Sequence, residues 1–304
     1  MTYQLTDIPT LKGKRIVITG ANSGIGWEAA RMLAGKGAHV VMACRNTEKG
    51  DAAAQRILAE HRSASLQVME LNVADLSSVR TFAERYGENR LDVLVNNAGV
   101  LALPFQQTVD GFEMQFGTNH LGHFALTGLL MDRLSGTGGP ARVVSVSSLM
   151  HKKGVMRWGE LNSEDGYRKW PAYSMSKLAN LLFTYELGRR LKQADREVIA
   201  LTCHPGYAAT NINAAGAGTN PVKHWMSRVG NALVAQPAEA GALATVVAAA
   251  AVDMKGGEFI GPNGPGGFRG RPVKSASSPE SHHREAQRRL WEVSIEMTGV
   301  DPLS

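Results

Sequence analysis

Short apolar, β-branched runs alternate with amphipathic stretches along most of the chain. The runs Arg15–Thr19, Ala38–Ala43, Leu66–Leu71, Leu91–Asn96, Arg142–Val146 and Val198–Thr202 predict strands, and Glu258–Ile260 predicts a seventh. Their near-continuous apolar character is that of strands covered on both faces. Helical patterns separate them: one from about Ile25, then Asp51–Glu60, Ser77–Tyr86, a long one over Phe112–Leu134, and one over Tyr173–Leu191 in which Leu178, Leu181, Leu182, Tyr185 and Leu187 recur near helical spacing. Strand–helix alternation of this kind predicts an α/β fold with a doubly wound parallel sheet of about seven strands. Two stretches break the rhythm. Residues 207–237 are rich in Gly, Ala, Asn and Thr, and 256–270 are dense in Gly and Pro. Long irregular segments in a compact domain are more often lids or binding loops than passive connectors, so 207–237 is expected to form a substrate lid. A final helical tail is expected over 279–304. With no internal repeat and no second periodic block, residues 1–304 read as a single domain.

Composition changes this picture little. Of 304 residues, 43% are hydrophobic and 20% charged, enough for a sizeable core. The formal charge of +6 is scattered among acids, and Arg189-Arg190 and Arg284 to Arg289 read as solvated helix faces. No nucleic-acid footprint is concentrated on one element, whereas a mildly basic surface suits an anionic small molecule. The two cysteines, Cys44 and Cys203, are too few for a disulfide framework and are expected as reduced, buried thiols in a cytoplasmic protein. Met1 to Thr10 is polar and no apolar run reaches membrane-spanning length, so neither secretion nor a membrane span is expected. The alanine-rich Ala238–Val252 is read as a packed core helix.

Candidate chemistry sits at strand ends. The first strand runs into Thr19-Gly20-Ala21-Asn22-Ser23-Gly24-Ile25-Gly26, and a helix follows at once. Glycines there permit a tight turn and close approach of a pyrophosphate, which rests on the amino-terminal N–H groups of the helix. A purely steric role for the glycines is the alternative; the strand–turn–helix context argues against it. Where the second strand ends, an acidic residue would bind the ribose hydroxyls of NAD and repel the 2′-phosphate of NADP. Cys44-Arg45-Asn46 stand there instead, and the Arg45 guanidinium suits a phosphate, unless it is simply a surface arginine. NADP(H) is therefore favoured over NAD(H). Asn96-Asn97-Ala98-Gly99 follows the fourth strand, at the carboxyl edge where such sheets bind ligands, and Ser147-Ser148 end the fifth.

Tyr173-Ser174-Met175-Ser176-Lys177 places a phenol and an ammonium on one helix face. Lowering a tyrosine from its usual value of about 10 to neutrality requires roughly 4 kcal/mol, part of which a nearby cation supplies. The spacing alone arises often by chance. Its place after the fifth strand makes chance a poor account.

Together these motifs make the chain resemble a short-chain dehydrogenase/reductase of the retinol dehydrogenase-like branch, over about residues 12 to 261. The resemblance rests on Thr19 to Gly26, Asn96 to Gly99, Thr118-Asn119-His120, Ser148, Tyr173, Lys177, Pro205-Gly206 and the stretches Ser147 to His151 and Ser176 to Asn180. It implies a Rossmann-like fold and a catalytic set of Asn119, Ser148, Tyr173 and Lys177. Tyr173 would be the general acid and base, Ser148 would bind the substrate oxygen, Lys177 would bind the ribose hydroxyls and favour the phenolate, and Asn119 would hold a water leading to solvent. It implies cofactor contacts from Gly20, Asn22, Ser23, Gly24, Ile25, Gly26, Arg45, Asn46, Asn72, Val73, Asn97, Ala98, Gly99, Tyr173, Lys177, Pro205, Gly206 and Thr210. Asn72 stands where an aspartate is usual, so weaker charge assistance at the adenine amino group is expected. The long segment after Ser148, with His151, Trp158, Tyr167 and Trp170, is expected to wall a substrate pocket, although His151 reads more readily as a plain surface residue. The expected reaction interconverts a carbonyl and an alcohol on a fairly apolar small molecule. A noncatalytic nucleotide sensor or scaffold is the alternative. No metal is expected, since His282-His283 lacks partner ligands in the sequence. A homodimer or homotetramer through helices 112–134 and 173–191 is the family habit, though the branch includes monomers.

Overall fold

Each apolar run becomes a strand of one sheet in the computed structural model, which describes residues 1–162, 164–207 and 236–304. The strands are β1 Arg15–Thr19, β2 His39–Cys44, β3 Ser65–Glu70, β4 Val93–Asn96, β5 Ala141–Val146, β6 Val198–Cys203, β7 Phe259–Pro262 and β8 Pro272–Ser275. They lie in the order β3-β2-β1-β4-β5-β6-β7-β8. All neighbouring pairs are parallel except β7 with β8. The eighth strand exceeds the expected seven. It is an edge strand that begins on a proline, a residue tolerated there because it need not donate to the ladder.

Helices cover both faces. On one side α1 (Gly24–Gly35), α2 (Thr47–Glu60) and α6 (Ala238–Ala250) pack through Ala29, Leu33, Ile57, Ala242 and Val246 onto Ile16, Ile18, Val40 and Val144. On the other side lie α3 (Leu76–Tyr86), α5 (Lys169–Gln193) and α7 (Arg284–Thr298), with Phe82, Phe183 and Trp291 against Val17, Leu94 and Val143. The alanine-rich α6 is buried against the sheet, and among the described residues no helix is long and apolar enough to cross a membrane. Cys44 and Cys203 are both buried and free.

The expected helix over 112–134 is interrupted. Met114–Phe116 is α-helical, Gly117–Leu121 is a π turn, and Gly122–Leu129 resumes the α form; together these are α4. A short 3-10 turn, Met131–Arg133, follows. Glu113 starts α4 by accepting from the amides of Gln115 at 3.0 Å and Phe116 at 2.7 Å. A Cβ on Gly122 would lie 1.9 Å from the Val73 carbonyl oxygen, so α4 passes against the loop after β3 at van der Waals limit. π turns of this kind recur at functional sites, and this one carries Asn119.

Strand order reverses between β1 and β4. Ligands of open α/β sheets bind in the crevice at such a point, beyond the carboxyl ends of the strands. Thr19-Gly20 and Asn96-Asn97 are the residues found there.

Candidate active site

Thr19 organises the crevice. Its hydroxyl accepts from the amides of Asn97 at 2.9 Å and Ala98 at 2.8 Å, joining the end of β1 to the turn after β4. The Asn97 side chain returns the link by donating to the Thr19 carbonyl at 2.7 Å. The hydroxyl also lies 2.9 Å from His123 Nε2, while His123 Nδ1 lies 3.2 Å from the Asn119 carbonyl. A carbonyl only accepts, so Nδ1 carries the proton and Thr19 donates to the bare Nε2. Burial holds His123 down to about 4, which keeps it neutral.

The glycine turn is closed on itself. Gly20 has φ +67°, which favours glycine, and a Cβ there would sit 3.0 Å from Ala98 Cα. A Cβ on Gly26 would meet the Gly20 carbonyl oxygen at 2.4 Å and Asn97 Nδ2 at 2.5 Å. Ser23 precedes α1 without a side-chain cap. The first-turn amides are thus left for another acceptor, as a pyrophosphate site requires.

From this turn a cavity of about 640 Å³ runs to the carboxyl end of β5. Gly20, Asn22, Ser23, Gly24, Ile25 and Gly26 line one end, and Arg45, Asn72 and Val73 one flank. Asn97, Ala98 and Gly99 form its floor, while Ser148, Tyr173, Lys177, Pro205 and Gly206 line the far end. Most of the expected site residues are therefore brought together. Asn46 is not among the lining residues; its side chain caps α2 by accepting from Lys49 N at 2.7 Å. Thr210 and most of the expected lid lie outside the described residues.

Asn119 also stands behind the cavity wall. Its side-chain oxygen accepts from Val100 N at 2.8 Å, and its amide nitrogen donates to Val100 O at 3.0 Å and Ser176 Oγ at 2.9 Å. The side chain is therefore committed to structure.

Tyr173 and Lys177 are buried on the first turns of α5. Desolvation pushes the phenol up to about 12, opposed by a hydrogen bond with the Ser148 side chain. Desolvation also pulls Lys177 down to about 8. Its Nζ donates to the Val146 carbonyl at 3.1 Å and stands 5.8 Å from the centre of the Tyr173 ring. Burial is the dominant influence on both groups. The phenol is held in its acid form at neutral pH.

His151 is not a surface residue. It is fully buried, its Nδ1 donates to the Ser148 carbonyl at 2.6 Å, and its Nε2 accepts from Ser278 N at 3.1 Å. Both partners are backbone groups with fixed roles, so the tautomer is set and charging the ring would break the second bond. Trp158 and Tyr167 do not line the cavity either. Arg289 lies over the Trp158 ring at 4.7 Å, and the Tyr167 hydroxyl donates toward Leu103 O and Glu113 Oε1, each at 3.0 Å. Trp170 does line it, with Leu149, Met150, Tyr207 and Phe268. Of these, Leu149 and Met150 fall in the segment expected to wall the pocket and Tyr207 at the start of the expected lid, whereas Phe268 was not singled out by the sequence, because nothing in an apolar residue of a Gly- and Pro-rich stretch signals which way it faces. Among the described residues no group of three or more His, Cys, Asp or Glu is placed to hold a metal.

A doubly wound sheet with a glycine turn at its switch point and a Ser–Tyr–Lys cluster beyond the fifth strand defines a nucleotide-dependent oxidoreductase. The chain belongs to the short-chain dehydrogenase family, whose profile, described as short chain dehydrogenase, matches residues 14–219. It lies on the retinol dehydrogenase-like branch. It is 38% identical over 304 residues to human retinol dehydrogenase 13, covering 96% of this chain and 86% of that one. It is 48% identical over 204 residues to mouse retinol dehydrogenase 12, a match spanning 66% of this chain and 64% of that protein. Among solved structures, an uncharacterized protein from Mycobacterium paratuberculosis is 42% identical with a TM-score of 0.83, and the match covers 99% of each chain. The Pseudomonas aeruginosa RhlG/NADP active-site complex has a TM-score of 0.63 at 25% identity, covering 82% of this chain and 94% of that one. By family, the chain is an oxidoreductase acting on alcohol and carbonyl groups.

Proposed function

We propose that this chain is an NADP(H)-dependent oxidoreductase that interconverts a carbonyl and an alcohol on a fairly apolar small molecule, with Tyr173 moving the proton. The observation that carries this reading is the continuity of one cavity from the glycine turn past Arg45 to Ser148 and Tyr173.

The residues present fit a nicotinamide dinucleotide. The cradle that a Cβ on Gly26 would fill, and the uncapped start of α1, suit the pyrophosphate. Arg45 would take the 2′-phosphate, Asn72 and Val73 the adenine, Asn97 to Gly99 and Lys177 the sugars, and Pro205-Gly206 the nicotinamide ring. The solved relative with NADP in its active site supports the phosphorylated form. Bound there, the nicotinamide supplies or takes the hydride.

This chain's own residues handle the proton. In reduction the substrate oxygen gains charge and takes the Tyr173 proton, while the Ser148 hydroxyl holds that oxygen by a hydrogen bond. Burial keeps the phenol protonated at neutral pH, the form that donates in carbonyl reduction. Lys177 supplies positive charge beneath the ring. Val100, Leu101, Met114, Leu149, Met150 and Trp170 exclude water around the reacting carbon and give the pocket its apolar character.

The reading is tested by a panel of aldehydes, ketones and alcohols assayed with NADPH and NADH side by side, with Tyr173→Phe as control. Turnover with NADPH that falls by about 10²-fold or more in Tyr173→Phe, with NADPH affinity nearly unchanged, is expected. Normal turnover in that variant would sink the mechanism, and no turnover with either nucleotide would leave only a nucleotide-binding role.

A further inference from the structure

A second cavity, of about 570 Å³, adjoins the first and shares Met150 and Trp170 with it as a common wall. Its remaining lining is Lys153, Val155, Arg157, Pro171 and Ser174. Ser174 follows Tyr173 on α5, so the first turns of one helix border both spaces.

The polar groups here point to a ligand. Ser174 is 2% exposed, and its hydroxyl has no hydrogen-bond partner among the described residues. Lining this space, the hydroxyl is open to a hydrogen bond with whatever occupies it. Lys153 has no acidic partner among the described residues, and Arg157 is paired only with the half-exposed Glu160 at 3.2 Å. Two cations and a free hydroxyl thus face one space, with a single carboxylate as counterweight. Between this space and the reacting end stand the apolar Met150 and Trp170, and the Trp170 ring lies 6.4 Å from that of Tyr173, edge to face.

We propose that this second cavity is an anion subsite, so that the preferred substrates carry a carboxylate, sulfate or phosphate beyond an apolar stretch from the reacting carbonyl. The proposal rests on the carbonyl–alcohol reading above. The apolar stretch crosses the Met150–Trp170 wall, the carbonyl reaches Ser148 and Tyr173, and the anion takes charge-assisted bonds from Lys153 and Arg157 and a hydrogen bond from Ser174.

The test compares straight-chain aldehydes of graded length with their ω-carboxylate, ω-sulfate and ω-phosphate counterparts, measuring kcat/KM with NADPH. At the length that spans the wall, one or more charged forms should exceed the uncharged aldehyde by about tenfold, the worth of one charge-assisted bond. The three arms identify which anion is meant. Lys153→Gln combined with Arg157→Gln should collapse the charged-to-uncharged ratio toward one, and Ser174→Ala should lower it a few-fold. Equal kcat/KM for charged and uncharged forms at every length, or a preference that survives loss of both cations, would overturn the subsite. Calorimetric titration with the matching alkyl carboxylates separates this from failure of the catalytic reading. Saturable binding that the double variant abolishes supports the subsite even if no aldehyde is turned over, whereas no binding at any length refutes it.

Discussion

The proton inventory of the site is set by burial. Lys177 is held down to about 8 and Tyr173 up to about 12, both chiefly by desolvation. Across neutral pH the phenol is therefore protonated, and the group that titrates first on the alkaline side is the ammonium. If positive charge at Lys177 assists proton release from Tyr173, kcat for carbonyl reduction should be flat near neutrality and fall as pH rises through about 8. A pH profile of kcat measures this, and a plateau extending into the ordinary lysine range near ~10.4 would separate Lys177 from proton transfer. His151 offers a sharper residue-scale experiment. Its two bonds, to Ser148 O and from Ser278 N, use opposite edges of the ring. The amide nitrogen of Asn reaches about as far as Nδ1, and the amide of Gln about as far as Nε2. His151→Asn should therefore keep the Ser148 bond and most of kcat. His151→Gln should keep the Ser278 bond and lose kcat by about tenfold, the worth of one hydrogen bond left unmade. In a Ser148→Ala background the Gln change should cost nothing further, and a full additional loss there would reduce His151 to a packing role.

At the scale of elements, the turn from β1 into α1 is sterically closed. Gly26→Ala forces a methyl against the Gly20 carbonyl and the Asn97 amide, the latter held by its bond to the Thr19 carbonyl and Gly20 itself anchored through its amide to the Ala43 carbonyl. Overpacking of this kind costs about 1–3 kcal/mol, and here it also opens the cradle. Urea unfolding should report that loss, and NADPH binding should weaken with it. Gly159→Ala, where an added Cβ meets nothing within 4 Å, should change neither. Elements of this kind were legible before folding: the apolar runs at β1 to β7 and the glycine turn declare themselves by composition and period. β8 was not, because Pro272-Val273-Lys274-Ser275 has neither apolar run nor alternation and is a strand only by pairing with β7. The π turn at Gly117–Leu121 was hidden too, since no residue type within it marks the change of winding; it ends where Gly122 packs against the Val73 carbonyl, a contact distant in sequence. Likewise Ser148, Tyr173 and Lys177 were readable from spacing. The histidines that hold the Ser148 and Asn119 carbonyls were not, because a histidine's role depends on what its two ring edges meet.

Those histidines shape the whole molecule's response to acid. Burial holds His120 at about 3, His123 at about 4 and His204 at about 3, and each is at most 3% exposed. In the unfolded chain each takes a proton near ~6.5. The folded values are depressed, so the unfolded state binds more protons wherever pH lies below 6.5 and above 4. Stability therefore rises with pH in that window and is lost as pH falls. A histidine protonated only when unfolded contributes about 1.4 kcal/mol per pH unit, so the three together give a slope of about 4 kcal/mol per unit near pH ~5. Asp92, whose carboxyl is lowered by backbone hydrogen bonds from Arg15 and Thr137 against its desolvation, adds to the loss only further down, in the carboxylate range. Against a typical total of about 5–15 kcal/mol, the histidine slope alone brings unfolding into mildly acidic solution. Urea unfolding at a series of pH values between neutrality and ~4.5 measures it. His120 is the site to vary, because its ring sits among Phe116, Phe124 and Phe183 and makes its one side-chain bond to Ser294 on α7. His120→Phe should lower the slope by about one third, whatever it does to stability at neutral pH. A slope that does not change would mean that His120 is protonated in the folded state as readily as in the unfolded one, and the acid sensitivity would then have to come from the other buried histidines or from the carboxylates.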